Sequence, residues 1–197
     1  MGVARLKRFI LGGALLAALL CHDPLQAQAQ IFTGRAVDEA GVLAYVEKHA
    51  ITYKDGRVVG SRTTYFDPDD HVIGTLESEY APMPRLSTYS FRDLRKGYTD
   101  GVRVEPGRLC MFRKRSLEAE EEIACRPRQG LQIAGQGFHH FIVNRLDAIA
   151  EGEVFHVELA LPFRLDQARF RIRRHHMEGD CLRIRLEIDN GWSRIKP

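Results

Sequence analysis

The chain reads as a single-domain, mainly antiparallel β protein, an open or partial barrel with one principal amphipathic helix packed on its concave face. Three observations predict this. Short runs rich in Val, Ile, Thr, Tyr and Phe follow one another for most of the length, separated by Gly, Asp and Pro turn chemistry. Asp55-Gly56 stands between two such runs, the strongest short-range signal of a hairpin. One segment alone, residues 137–152, changes its apolar period from two to between three and four.

The first residues concern address rather than fold. Arg5, Lys7 and Arg8 precede the apolar run FILGGALLAALL, and Ala27-Gln28-Ala29 supplies the small-x-small pattern of a signal peptidase site. Residues 1–29 are therefore expected to be a signal peptide cleaved before Gln30, with an uncleaved anchor as the alternative. Lipidation at Cys21 is the lesser expectation, because the bulky Leu20 stands where lipoprotein signals need a small residue. Losing the leader removes three cations and one anion (Arg5, Lys7, Arg8 and Asp23) from a formal net charge of +3, leaving +1. A near-neutral protein gives no reason to expect a nucleic-acid partner. Residues 30–197 are enough for one domain with its own core, expected in the periplasm or cell envelope, where disulfides persist.

The strands follow in order. Residues 42–53 run into Lys54-Asp55-Gly56 and return as 57–66; Asp67-Pro68-Asp69-Asp70 turns the chain into 71–80. Pro82 and Pro84 interrupt the pattern, which resumes over 85–94 and around Gly101–Val104. The stretch CMFRKRSLEAEEEIAC, residues 110–125, places three basic residues before three acidic ones between two cysteines. Folded about its centre, with Ser116 opposite Ala119, it sets Arg113 against Glu122, Lys114 against Glu121, Arg115 against Glu120, Phe112 against Ile123 and Cys110 against Cys125. Cross-strand ion pairs are worth only about 0.2–1 kcal/mol each, yet shifted registers lose them. A disulfide Cys110–Cys125 is the expectation; a helix through SLEAEEEIA is the rival, since its residues are good helix formers. The spacing suits neither a redox dithiol nor a zinc site.

Within GFHHFIVNRLDAIAEG, Phe138, Phe141, Ile142, Leu146 and Ile149 recur three and four apart and are expected on one face of a helix, with Gly152 at its end. Residues 154–163, 168–176 and 181–189 are strands again, the last two joined through Met177-Glu178-Gly179-Asp180, and another strand is expected to begin over Gly191–Pro197. With a three-residue turn over 178–180, Ile172 faces Leu186 and Phe170 faces Ile188. Arg171, Arg173 and His175 then share the opposite face with Arg183, Arg185 and Glu187. That face is a candidate contact for an anionic membrane surface; a solvated sheet face is the plainer alternative.

Signs of chemistry are few. His139-His140 and His175-His176 are adjacent pairs whose side chains diverge, so neither chelates a metal unaided, and no metal site is expected. Cys181 is the odd cysteine once the leader is gone, expected to be an unpaired structural thiol. No Gly-x-Ser-x-Gly, phosphate-binding glycine loop or spaced carboxylate pair is present, and no catalytic residue or cofactor is expected.

The leader, the succession of hairpins, the helix GFHHFIVNRLDAIAEGE and the ARFRIRRHHMEGDCLRIRLEI hairpin together resemble, in layout, exported bacterial β proteins similar to the half-barrel carriers that move lipoproteins to the outer membrane. The resemblance implies an antiparallel sheet curled around an apolar cavity, with residues 137–150 as a lid or plug and Phe138, Phe141, Ile142, Leu146 and Ile149 as a ligand or lid face. The expectation is a non-enzymatic envelope protein that binds a lipid or a lipoprotein acyl chain. A scaffold or interaction module with a filled core is the alternative, and a hydrolase the third.

Overall fold

The computed structural model describes residues 28–80, 83–179 and 181–189. Most of the expected leader, Cys21, Pro82, Asp180 and the terminal stretch 191–197 lie outside the described residues. The chain is mainly β, with twelve strands in two sheets among the described residues. Eight form one antiparallel meander: β1 (Gln28–Val37), β2 (Leu43–Lys54), β3 (Arg57–Phe66), β4 (Val72–Glu79), β5 (Thr88–Asp93), β6 (Tyr98–Glu105), β7 (Arg108–Lys114) and β8 (Glu122–Pro127). The second sheet has the order β12 (Cys181–Ile188), β11 (Asp166–Glu178), β10 (Phe155–Leu161), β9 (Gln132–Ile133), with β9 parallel to β10. Two short helices, α1 (Gly137–Asn144) and α2 (Leu146–Ala150), link β9 to β10. No described helix is long and apolar enough to cross a membrane.

Two sheets replace the single sheet expected. The larger one does not close on itself, since β1 and β8 are its free edges. The strand signals after the helix belong to a separate sheet that covers part of the first. Inner-face side chains Val102, Leu109 and Met111, each fully buried, pack with Leu86, Ala134 and Ala160, the last two small enough to let the sheets approach. A second cluster joins the helices to the smaller sheet: Phe141, Ile149, Ile133, Val157 and Ile172 are buried together. The helices are thus seated on the second sheet, not on the concave face of a barrel.

Local chemistry sets the turns. Asp55 (φ 52°) and Gly56 (φ 71°) both adopt the left-handed region that a two-residue hairpin turn demands. A bulge follows. Thr52 pairs with Gly60 but Tyr53 with Val58, leaving Val59 unpaired in the ladder; its carbonyl accepts the Tyr80 N–H at 3.1 Å. The β7–β8 hairpin keeps the expected register, Cys110 opposite Cys125, Phe112 opposite Ile123 and Arg113 opposite Glu122. Strand pairing stops there, so the outer ion pairs rearrange: Arg115 joins Arg113 on Glu122, and Glu121 accepts two hydrogen bonds from Arg103.

Candidate functional site

The inner face of the larger sheet is filled unevenly. Over β5–β7 it meets the second sheet. Over β1–β4 it presents Phe32, His49, Ile51, Tyr53, Val58, Ser61, Thr63 and Tyr80, and across from them stands α1. Between the two lies a cleft of about 470 Å³. These residues share one face because cross-strand partners do: Phe32 pairs with His49, His49 with Thr63, Ile51 with Ser61 and Tyr53 with Val58.

Two glycines place α1. Gly135 has φ +52° and lies against the Tyr89 ring, where a Cβ would come within 2.5 Å of it. At Gly137 a Cβ would collide with the Arg85 carbonyl, so the helix starts in direct backbone contact with the segment before β5. That contact is fastened by Ala134 N–H donating to the Arg85 carbonyl (3.1 Å) and Ser87 Oγ donating to the Ala134 carbonyl (2.9 Å). The helix then divides its faces. Phe138, Phe141 and Ile142 pack on the second sheet, while Gln136, His139, His140 and Val143 line the cleft.

Apolar and aromatic groups supply most of the wall, and none of the described side chains lining it is Asp, Glu, Lys or Arg. Its polar groups are largely paired with one another. Ser61 Oγ and Tyr80 Oη lie 2.9 Å apart, and the Tyr80 ring meets His140 edge-on at 4.6 Å. Burial, and then His139 beside it, lowers the pKa of His140 and favours a neutral ring. The Phe32 ring stacks on His49 at 4.4 Å. His49 Nδ1 is 2.9 Å from Thr63 Oγ1, and its Nε2 is 2.8 Å from Glu47 Oε2. Farther along the same face Tyr45, Tyr65 and Phe91 form an edge-to-face row beside a hollow of about 300 Å³. Burial there, with Glu47 and Tyr45 adding to it, pushes the Tyr65 hydroxyl up to about 12.

The residues singled out in the sequence fall in three places. Cys110 and Cys125 are disulfide-bonded on the outer face of the larger sheet, away from the cleft. Phe138, Phe141, Ile142 and Ile149 all join the second-sheet core, but Leu146 does not: it is 44 % exposed. The helix breaks at Arg145 (φ −123°), which turns Leu146 away from the stripe that unbroken helical spacing gives it. The apolar stripe expected to meet a ligand is occupied by protein, and the opposite face of α1 lines the cleft. Arg171, Arg173 and Arg185 gather around Glu187, whose carboxyl is held down at about 2 by Arg173 and then Arg171. Arg183 lies on the same strand face as Arg185 and is exposed. Cys181 is a free, exposed thiol at the start of β12.

Sequence reading missed the strand residues of the cleft, because a plain two-residue turn at Asp55-Gly56 sets His49 opposite Arg62, and only the bulge at Val59 brings Thr63 there. No protein-family model, curated protein or solved structure matches the chain.

Proposed function

We propose that the protein is an exported cell-envelope protein that holds an apolar or amphiphilic ligand, such as a lipid or a lipoprotein acyl chain, in the cleft between α1 and β1–β4. The cleft carries this reading: its volume lies in the range of about 300–1,000 Å³ typical of ligand sites, and its wall is mainly apolar and lined by no formally charged side chain among those described. A scaffold whose sheet is filled by its own side chains would leave no such space. In this reading β1–β8 act as a partial barrel and α1 as a fixed wall, since its other face is committed to the second sheet. The Cys110–Cys125 bond fits an oxidising compartment. Cleavage before Gln30 would trim β1 by two residues and leave its pairing from Gln30–Ile51 onward. The arginine face of β11–β12 is the surface that would meet an anionic membrane, with Glu187 holding Arg171, Arg173 and Arg185 in place. Native mass spectrometry of the exported protein, followed by lipid extraction, should show a bound mass that leaves with the organic phase. Bare protein under conditions that preserve a control lipid complex would refute the reading.

A further inference from the structure

We propose that Arg85 and Arg145 form an anion-binding subsite on the flank of α1 beside the cleft, taking the carboxylate or phosphate head of an amphiphile whose chain lies in the cleft. The inference rests on the cleft being an apolar ligand site and adds the charge of the ligand to it. The subsite is a hollow of about 180 Å³ lined by Arg85, Leu131, His140, Phe141, Asn144 and Arg145. Ligand sites for whole small molecules run from about 300 Å³ upward, so this space suits a head group rather than a chain. His140 lines both the hollow and the cleft. Around α1, His139 and Val143 lie to one side of His140 and Phe141 and Asn144 to the other, which makes the two spaces neighbours on one helix.

Each arginine is held in a way that leaves its charge unanswered. The Arg85 carbonyl accepts the Ala134 N–H at 3.1 Å and abuts the start of α1, where a Cβ on Gly137 would come within 2.2 Å of it. That fixes the root of a half-buried side chain whose Nε is buried without a hydrogen-bond partner. Arg145 stands where the helix breaks, its guanidinium 5.9 Å over the Phe155 ring. A ring face positions a cation and consumes none of its N–H donors. Among the described residues no carboxylate pairs with Arg85 or Arg145, whereas Arg113, Arg171 and Arg173 each hold one. None of the described side chains lining the hollow is Asp or Glu, and the C-terminus of α1 brings only a partial negative charge to Arg145. The two guanidiniums therefore set the sign of the hollow. Buried donors are normally satisfied, and the planar guanidinium fork matches the oxygens of a carboxylate or a phosphate.

The test compares dodecanoic acid, dodecyl phosphate and 1-dodecanol, ligands of matched chain and different head, by equilibrium binding to the purified protein at low and physiological salt. The two anions are expected to bind about tenfold or more tighter than the alcohol, by a margin that shrinks as salt rises. Changing both Arg85 and Arg145 to Gln should remove the margin and leave the affinity for 1-dodecanol unchanged, which also shows that the double variant is folded. Arg145→Gln alone, at an exposed position, should already narrow the margin, so the test survives if the change at Arg85 unsettles the fold. Either anion satisfies the proposal: a tighter hold on the acid assigns the head to a fatty acid, and on the phosphate to a phospholipid. An alcohol bound as tightly as both anions, or a margin unchanged in Arg145→Gln and in the double variant, overturns the proposal and leaves the cleft reading standing. If none of the three ligands binds, the cleft reading falls with it.

Discussion

Glu122 shows how far a single side chain can be traced. Arg113 and Arg115 both hydrogen-bond to it and lower its pKa from an ordinary 4.5 to about 2. A depressed carboxyl stabilises the fold above its unfolded value and loses that contribution as pH falls through its folded one. Glu122 therefore contributes in full above about 4.5 and progressively less toward about 2. Urea midpoints measured between pH 6 and pH 3 should fall more steeply in the unmodified protein than in Glu122→Gln; equal slopes would show that the two arginines contribute nothing. The opposition of Arg113 and Glu122 was legible because charge alternates cleanly across the hairpin. The sharing of Glu122 by two arginines was not, since it depends on strand pairing ending at Arg113. Non-reducing peptide mapping should recover Cys110 linked to Cys125, and two free thiols, or Cys181 bonded to either, would contradict the pairing. Replacing the linked pair with alanines should cost about 2–4 kcal/mol.

Elements were easier to read than their seating. The bounds of β3 and the existence of the β7–β8 hairpin follow from alternation and turn chemistry, and α1 from its period. What alternation cannot report is a bulge. In the β11–β12 hairpin, Ile172 opposite Leu186 and Phe170 opposite Ile188 appear as expected, but the route differs: Glu178 pairs with Cys181, and a bulge between Arg174 and His176 restores the register. β1 shares Gln28 and Ala29 with the expected leader, and β9 is only two residues long. The helix break at Arg145 separates two substitutions that an unbroken apolar stripe makes alike. Phe141→Ala should cost about 3–5 kcal/mol, as for a buried phenylalanine, whereas Leu146→Gln should lie within about 0.5 kcal/mol of the unmodified protein. Chemical denaturation of both measures this; a large loss from Leu146→Gln would mean that one continuous helix face is buried.

The whole molecule joins two sheets through small residues at one end of the larger sheet and leaves the other end to face α1 across open space. Nothing in the order of strands announces this, because the Leu86, Ala134 and Ala160 contacts link segments far apart in the chain. The partition of α1 follows from it: one face closes the second core, and the other bounds the cleft. On the far side of the second sheet, Arg171, Arg173, Arg183 and Arg185 should draw the protein to anionic vesicles, each contributing on the order of 1 kcal/mol near such a surface. Binding should weaken with salt and be lost when all four are changed to Gln; no co-sedimentation at low salt would leave the face a solvated one. The central claim, that the cleft takes an apolar chain, is tested most directly at Val143, which lines it from α1 yet is 56 % exposed. Titrating the delipidated protein with a fluorescent fatty acid, in the unmodified form and in Val143→Glu, should show saturable binding that the added charge weakens at least tenfold with melting temperature unchanged. Equal affinity in the two forms, or no binding in either, would contradict it.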